Sequence, residues 1–171
     1  CLADVICNGS LQKQKSLIMN VFAPISSLMT DHKHLVTVNP DDNLLKIKEI
    51  FDSHKFHHIP VVNFREIVGI ISKIDFEHFL GGASLLSEKP VIDEERLHNT
   101  FAKDIMTKHL GKIEPDDRIN VALEIFTINR FHALPVIKDG DLVGIITPFD
   151  ILKKLADERP AQPHLVYESE S

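Results

Sequence analysis

The sequence repeats itself at an offset of 75 residues, and this duplication constrains the fold more than any other feature. Without a gap, residues 40–42 recur as 115–117, residues 49–51 as 124–126, and residues 68–71 as 143–146. A fixed internal period indicates that one supersecondary unit occurs twice. We therefore expect two structurally equivalent units related by a pseudo-twofold axis.

Each copy carries the sequence pattern of a β-α-β-β-α unit. A short first strand is predicted at residues 35–38 in the first copy and at residues 111–113 in the second. An Asp pair follows a proline in each copy, and we expect it to cap the next helix. That helix has apolar residues at helical spacing, namely Leu44, Ile47 and Phe51 in the first copy and Ile119, Ala122 and Phe126 in the second.

The next two strands of each unit are predicted to form a hairpin. The apolar, mostly β-branched runs are residues 59–62 and 67–71 in the first copy and residues 134–137 and 142–146 in the second. Asp139-Gly140 lies between the second pair, and Asp-Gly between two such runs is a strong hairpin signal. A second helix completes each unit, and in the first copy we expect it to end near Gly81-Gly82.

The predicted fold class is therefore α/β (α+β), with two β-α-β-β-α units packed face to face around two equivalent clefts. A single unit would bury too little apolar surface to be stable alone, whereas two units cover each other's open sheet faces. The predicted segments are an N-terminal extension (1–20), a first unit (21–81), a linker (82–100), a second unit (101–156) and a flexible C-terminal tail (157–171).

Composition narrows the classes of function. No apolar run approaches the roughly 20 residues that span a membrane, and the 43% apolar content predicts a soluble globular protein. The net charge of −6 and the scattered basic residues argue against a nucleic-acid partner. Cys1 and Cys7 do not form the pattern of a disulfide scaffold, so we expect a reducing, cytoplasmic location. Because the chain begins at Cys1 rather than at a methionine, we expect a fragment or a processed form.

Each unit contains the pattern Gly-x-x-Ser/Thr-x-x-Asp where a strand leads into a helix, at residues 69–75 and 144–150. One interpretation is structural: Ser72 and Thr147 cap the helices, and Asp75 and Asp150 occupy the third helical position. The other is functional, because a helix N-terminus attracts anions and a carboxylate can accept hydrogen bonds from the vicinal hydroxyls of a ribose. The residues alone leave both interpretations open.

The ten histidines do not predict a metal site. His57 recurs as His132, but its neighbours His54 and His58 are not repeated, which favours a pocket or packing role over a set of zinc ligands. The sequence has no Gly-x-Ser-x-Gly elbow and no phosphate-binding P-loop, and both cysteines lie near the terminus. We therefore expect neither metal binding nor catalysis from this chain.

From about residue 25 to residue 155 the sequence resembles a pair of cystathionine-β-synthase (CBS) domains, an arrangement often called a Bateman module. The resemblance rests on motifs that occur in the same order in both halves. In the first half they are Leu28-Met29-Thr30, Val38-x-Pro40, residues 58–62 and residues 68–75. In the second half they are Ile105-Met106-Thr107, Ile113-x-Pro115, residues 134–136 and residues 143–150.

This resemblance implies a binding site for an adenosyl compound such as AMP, ADP, ATP or S-adenosylmethionine, and no required cofactor. Asp75 and Asp150 would bind ribose hydroxyls, with Ser72 and Thr147 near the ribose or the phosphate. The residues expected at the base pocket are Thr37, Val38 and Ile113. Those expected on the opposite wall or facing the phosphates are His57, His58, Pro60, His132 and Pro135. Lys73 adds a cation to the first cleft, where the second has Pro148.

Three hypotheses about function remain. In the first, the chain is a regulatory module whose adenosyl ligand shifts a conformational or oligomeric equilibrium. The resemblance also implies a homodimer, as a disc of four CBS domains, and a regulated partner protein that the sequence does not identify. In the second, the chain dimerises without binding a nucleotide. In the third, it is the regulatory piece of a larger enzyme or transporter.

Overall fold

The computed structural model describes residues 19–81, 94–129 and 131–157. The first half contains strand β1 at Thr30–Asp31, helix α1 at Leu44–Ser53, strand β2 at His58–Asn63, strand β3 at Glu66–Ser72 and helix α2 at Lys73–Gly81. The second half contains helices α3 at Glu94–Asn99, α4 at Ala102–Ile105 and α5 at Ile119–Asn129, strands β4 at Leu134–Lys138 and β5 at Asp141–Ile146, and helix α6 at Pro148–Asp157. Single 3₁₀ turns occur at Ile25–Ser27 and His32–His34. The predicted mixture of helix and sheet is confirmed.

The predicted first strand of each unit is reduced to a single bridge. Val38 pairs in parallel with Val61, and Ile113 pairs in parallel with Val136. In both copies the bridging residue donates its N–H to a proline carbonyl at 3.1 Å and accepts a second hydrogen bond at 2.8 Å. The predicted strands at 35–38 and 111–113 are therefore wrong in length, because only one residue of each segment reaches the hairpin.

The predicted cap of the first helix is also wrong by one position. Asn43 caps α1, since its Oδ1 accepts a hydrogen bond from the amide of Lys46 at 3.1 Å. Asp42 and Asp117 instead accept from the amide of the residue three positions earlier, each at 2.8 Å. These carboxylates stabilise the turn that precedes each helix.

Both predicted hairpins are present. Strand β2 pairs antiparallel with β3, and β4 pairs antiparallel with β5, each with one register shift at the equivalent place. In the second turn Asp139 has φ 53° and Gly140 has φ 90°, which are the left-handed conformations that a type I′ turn needs. In the first turn Phe64 adopts φ 57° although it has a bulky side chain.

The segment at the N-terminal end of each half packs against the other half. We name residues 19–31 the first arm and residues 94–107 the second arm. Thr30 and Asp31 of the first arm pair antiparallel with Ile145 and Gly144 of β5. In the matching exchange, Thr107 of the second arm and Ile70 of β3 donate to each other's carbonyls at 2.9 and 3.0 Å.

The hydrophobic cores show the same exchange. Ile25 of the first arm is fully buried in the core of the second unit, beside Ile113 and Ile146. Leu97 and Ala102 of the second arm are buried in the core of the first unit. The predicted linker is described only from residue 94, where α3 forms part of the second arm. Residues 1–18 of the predicted extension, residues 82–93 and residues 158–171 of the predicted tail lie outside the described residues.

A methionine of each arm packs directly on a glycine of the opposite hairpin. A Cβ added to Gly144 would lie 2.7 Å from Sδ of Met29, and a Cβ added to Gly69 would clash with the side chain of Met106. These two glycines belong to the repeated Gly-x-x-Ser/Thr-x-x-Asp pattern. Each is therefore needed where an arm crosses the strand, since any side chain would displace the arm.

The two hairpins face each other across the pseudo-twofold axis. Ile67 and Ile70 of β3 form a buried cluster with Ile145 of β5. At the edge of this cluster the amide of Leu142 donates to the carbonyl of Arg65 at 3.0 Å. The predicted face-to-face packing is thus produced by the two hairpins. The arms stabilise it, because each arm pairs with the hairpin of the opposite unit.

Replacement of Gly69 tests the packing of the arms. We expect Gly69→Ala to lower the free energy of unfolding by about 1–3 kcal/mol, because the added methyl group would overlap Met106 in a filled space. Urea unfolding followed by circular dichroism measures this change. Gly81→Ala is the control, because a Cβ there meets no heavy atom within 4 Å. Equal effects of the two substitutions would contradict the packing described.

Candidate functional site

The two Ser/Thr-x-x-Asp motifs form the same hydrogen-bonded pair at the start of α2 and α6. Oγ of Ser72 donates to Oδ2 of Asp75 at 2.6 Å and accepts from the Asp75 amide at 3.0 Å. Oγ1 of Thr147 donates to Oδ2 of Asp150 at 2.7 Å and accepts from the Asp150 amide at 3.3 Å. The structural interpretation, in which these residues cap helices, is therefore correct in geometry.

The same geometry leaves part of each carboxylate available. All hydrogen bonds to the side chains of Asp75 and Asp150 in the described part of the chain end on Oδ2, including one from the Thr147 amide at 2.8 Å. Both aspartates are only partly buried. The other oxygen, Oδ1, can accept a hydrogen bond from a ligand hydroxyl without breaking the cap. Capping and ligand binding are thus compatible uses of one pair.

Three histidines from both units lie near the first of these pairs. His58 is opposite Ser72 in the β2–β3 ladder, which places it beside Asp75. Burial lowers the pKa of the His58 imidazole below its usual value, positive charge on His132 and then on His57 lowers it further, and Asp75 acts in the opposite direction. His132 comes from the second unit, so this region is a junction between the two units.

An open cavity of about 440 Å³ also spans both units. The first unit contributes Thr37 and Val62 to its lining, and the second contributes Leu142 and Val143 of β5. At its edge, Nη1 of Arg65 lies 3.3 Å from Oδ2 of Asp141, which links the two hairpin turns. Of the residues predicted to line the base pocket, Thr37 is the one that this cavity includes.

The other apolar residues predicted for the site lie in the cores. The side chains of Val38 and Ile113 are 2% and 4% exposed, and those of Pro60 and Pro135 are fully buried. These residues shape the sheet and offer little side-chain surface to a ligand. Their contact with a ligand stays a prediction. By contrast, the side chains of His57 and His132 are exposed, and that of Lys73 is partly buried.

A second cavity, of about 570 Å³, includes His57 and Lys73 beside the end of α1. The two cavities also contain residues that the sequence analysis missed, among them His32 and Arg65 in the first and Lys55 in the second. At the offset of 75 residues, His32 corresponds to Thr107 and Arg65 to Gly140, so the repeat does not mark either residue. Among the described residues, no group of three His, Cys, Asp or Glu side chains could hold a metal ion.

Comparison with known proteins identifies the family. The family model described as "CBS domain" matches twice, at residues 25–82 and 102–157. The chain belongs to the CBS domain family. The two matches correspond to the two halves of the repeat and together cover most of the chain, which confirms the resemblance inferred from the motifs.

Relatives include longer proteins. The chain is 28% identical over 136 residues to the uncharacterized protein MJ1225 of Methanocaldococcus jannaschii, a match that covers 76% of this chain and 49% of MJ1225. It is 32% identical over 124 residues to inosine-5′-monophosphate dehydrogenase of the same organism, covering 71% of this chain and 22% of the enzyme. The chain thus spans half or less of the length of these two relatives.

Solved structures share the fold of this CBS pair. CBSX2, crystallised in complex with AMP, has a TM-score of 0.66 and 21% identity, and the match covers 80% of this chain and 99% of that protein. The crystal structure of MJ1225 has a TM-score of 0.66 and 26% identity, covering 80% of this chain and 51% of MJ1225. None of the helices in the described ranges combines the length and the apolar character needed to cross a membrane.

The lowered pKa of His58 predicts a pH dependence of stability. Because the folded state disfavours the charged imidazole, the unfolded chain takes up this proton first, and stability is lost as the pH falls through about 6.5. We expect His58→Gln to lose less stability than the unchanged protein between pH 7.5 and pH 5.5, measured by urea unfolding. His98→Gln, at an exposed position, is the control. An unchanged pH slope in His58→Gln would contradict the prediction.

Proposed function

We propose that this CBS pair is a regulatory module that binds an adenine nucleotide or another adenosyl compound in its two clefts. The candidate ligands are AMP, ADP, ATP and S-adenosylmethionine. The observation that carries the proposal is the hydroxyl–carboxylate pair, which occurs with the same geometry at Ser72–Asp75 and Thr147–Asp150. CBSX2, which shares the fold, forms a complex with AMP, and this supports the choice of ligand class.

The chemistry of a ribose suits these pairs. Its 2′ and 3′ hydroxyls are donors, and a carboxylate with one uncommitted oxygen accepts them in charge-assisted hydrogen bonds. The phosphates of a nucleotide would extend toward the Lys73 ammonium and toward the imidazoles of His57 and His132, whose ring nitrogens can donate hydrogen bonds near the first pair. The flat face of the adenine base would pack beside Thr37 and beside Leu142 and Val143 of the second unit, which line the same cavity.

A ligand in either cleft would contact both units, and this gives a route to regulation. His58 of the first unit lies close enough to His132 of the second for their charges to interact. A ligand there therefore stabilises the arrangement in which the units are closely apposed, at the expense of looser ones. Such differential binding is what a regulatory ligand needs, because equal affinity for two states shifts nothing. We propose no catalytic role, and we expect the module to act in the cytoplasm on a partner or a longer protein.

A second candidate function is a dimerisation module that binds no nucleotide. The observation in its favour is that each Ser/Thr–Asp pair is already a complete helix cap. The incomplete coverage of longer relatives favours a third, in which this pair regulates a larger protein. Regulation of a larger protein is compatible with nucleotide binding, whereas the dimerisation function excludes it.

Substitution of the two aspartates separates these functions. We expect Asp75→Ala and Asp150→Ala each to weaken binding at one cleft by at least about tenfold, since each removes a charge-assisted contact. Isothermal titration with AMP, ADP, ATP and S-adenosylmethionine measures both affinity and stoichiometry. Asp116→Ala, an exposed aspartate outside both motifs, is the control. If the unchanged protein gives no heat and no melting shift at millimolar ligand, nucleotide sensing is excluded and the dimerisation function is favoured.

We also infer that the chain forms a homodimer through the outer helices. Phe149, Leu152 and Leu155 of α6 are 71%, 61% and 43% exposed, and Ile74, which corresponds to Phe149 in the first unit, is 60% exposed. Large apolar side chains at equivalent positions of two pseudo-symmetric helices form an apolar surface typical of an interface. A second copy would cover it isologously, as a disc of four CBS domains.

A charge placed on this helix surface tests the dimer. We expect Leu152→Glu to convert a dimer into the 19.3 kDa monomer, because the carboxylate would be buried without a partner in the interface. Light scattering after size-exclusion chromatography measures the mass. Phe64→Ser is the matched control, because Phe64 is 97% exposed in a hairpin turn. The inference fails if the unchanged protein is a monomer, or if only Phe64→Ser dissociates it.

A further inference from the structure

Helix α5 of the second unit carries an apolar stripe that its counterpart α1 lacks. Val121, Ile125 and Ile128, which we name the α5 stripe, are spaced four and three residues apart and therefore lie on one face of the helix. Ile128 is 69% exposed, and the other two are partly buried. In α1 the two outer positions are Lys46 and Ser53. The repeat therefore preserves the helix but not the apolar character of this face.

Helix α1 of the first unit is covered by the second arm. The amide of Leu44, at the start of α1, donates to the carbonyl of Thr100 at 2.9 Å. Helix α3 precedes this contact and lies against α1, with Leu97 buried in the core that α1 helps to form. Within residues 19–81, 94–129 and 131–157, no helix lies against α5 to a comparable extent. The more apolar of the two helices is thus the one without this cover.

The first arm begins where α5 begins. The amide of Ile119 donates to the carbonyl of Ala23 at 3.0 Å, and the amide of Asn120 donates to the carbonyl of Val21 at 2.9 Å. Met19 is 6% exposed and belongs to the core of the second unit. The chain that precedes Met19 therefore starts from a point fixed beside the first turn of α5.

An unsatisfied acceptor lies at the same point. Oδ1 of the Asn120 side chain is buried, and no donor reaches it in the described part of the chain. The equivalent residue of α1 is Leu45, which has no such need. Buried polar groups almost always have a hydrogen-bond partner. Because Val21 bonds to the same residue, the segment that leads to it is placed to supply the donor.

The segment at residues 11–18 matches the α5 stripe in length. Leu11 and Ile18 are seven residues apart, and so are Val121 and Ile128. In a helix such a pair lies on one face and spans about 10.5 Å. Eight residues before Met19 are therefore enough to cover the stripe from one end to the other.

The charges of the two segments are complementary. Glu124 is the single charged residue of α5, and it has no ion-pair partner among the residues that the structure describes. Residues 11–18 contain Lys13 and Lys15 and no acidic residue. Lys15 comes three residues before Ile18, and Glu124 comes three residues after Val121, so the spacings agree when the two segments run in opposite directions.

We propose that residues 11–18 form a helix that packs antiparallel on the α5 stripe. The facing pairs in this arrangement are Ile18 with Val121, Lys15 with Glu124, and Leu11 with Ile128. The second unit would then have a helical cover like the one that α3 gives the first. This docking does not depend on nucleotide binding.

Hydrogen exchange of the full chain tests whether the segment is docked. We expect the amides of residues 11–18 to exchange at least about tenfold more slowly than in a free peptide of the same sequence, because docked amides exchange only on opening. Ile128→Asp should abolish this protection, since it places a charge against an apolar surface. Ser53→Asp, at the equivalent exposed position of α1, is the matched control and should leave the protection unchanged.

Carbodiimide coupling of the full chain tests the register. This reagent joins an amine to a carboxylate when the two are in contact, so the proposal predicts an amide link between Lys15 and Glu124 that Ile128→Asp removes. A mixture of isotopically labelled and unlabelled protein shows whether the link lies within one chain, because a link between two molecules also gives mixed pairs of peptides.

Three results would overturn the proposal. The first is exchange of residues 11–18 as fast as in the free peptide, or protection that Ile128→Asp does not change. The second is a link between Lys15 and Glu124 that forms only between molecules. The third is a change in the mass of Ile128→Asp by light scattering with unchanged exchange of residues 11–18, because a second copy would then cover the α5 stripe.

Discussion

The exchange of arms between the two units is the interaction on which the rest of the structure depends. Thr30–Asp31 adds to the second hairpin and Thr107 bridges to the first, so each sheet is completed by the opposite half of the chain. The contact requires Gly69 and Gly144, because any side chain there would meet the methionine of the crossing arm. Since Ile25 and Leu97 also fill the core of the other unit, neither unit is complete without its counterpart.

This exchange explains how the motif that begins with a glycine ends at the proposed ribose site. The glycine leaves space for the arm, and the arm holds the two hairpins face to face. The Ser/Thr and the Asp, three and six residues after the glycine, begin a helix where the two units meet. Capping fixes one carboxylate oxygen and leaves the other for a ligand. Pseudo-symmetry gives two such places, but they are not identical, because the first has the cation of Lys73 where the second has Pro148.

The sequence predicts what is encoded locally. The Asp139-Gly140 turn, the apolar spacing of Leu44, Ile47 and Phe51, and the Ser/Thr–Asp caps all follow from short-range rules, and the structure contains them. Pairing of Thr30 with Ile145 has no local pattern, because a backbone bridge between distant segments leaves no periodicity. The predicted strands at 35–38 and 111–113 are too long, because apolar residues indicate burial and not hydrogen bonding. Only Val38 and Ile113 pair with a strand of the hairpin. The cavity residues Arg65 and Asp141 are brought together only by the packing of the two turns.

The central claim is that each Ser/Thr–Asp pair serves at once as a helix cap and as a ribose site. Electron density from crystals of the full chain grown with saturating AMP tests it most directly. The account predicts a nucleoside with its vicinal hydroxyls within about 2.5–3.0 Å of a carboxylate oxygen of Asp75 or Asp150, and with the Ser72 or Thr147 bond still in place. Saturating AMP with no density beside either aspartate, or with the ligand bound elsewhere, would contradict it.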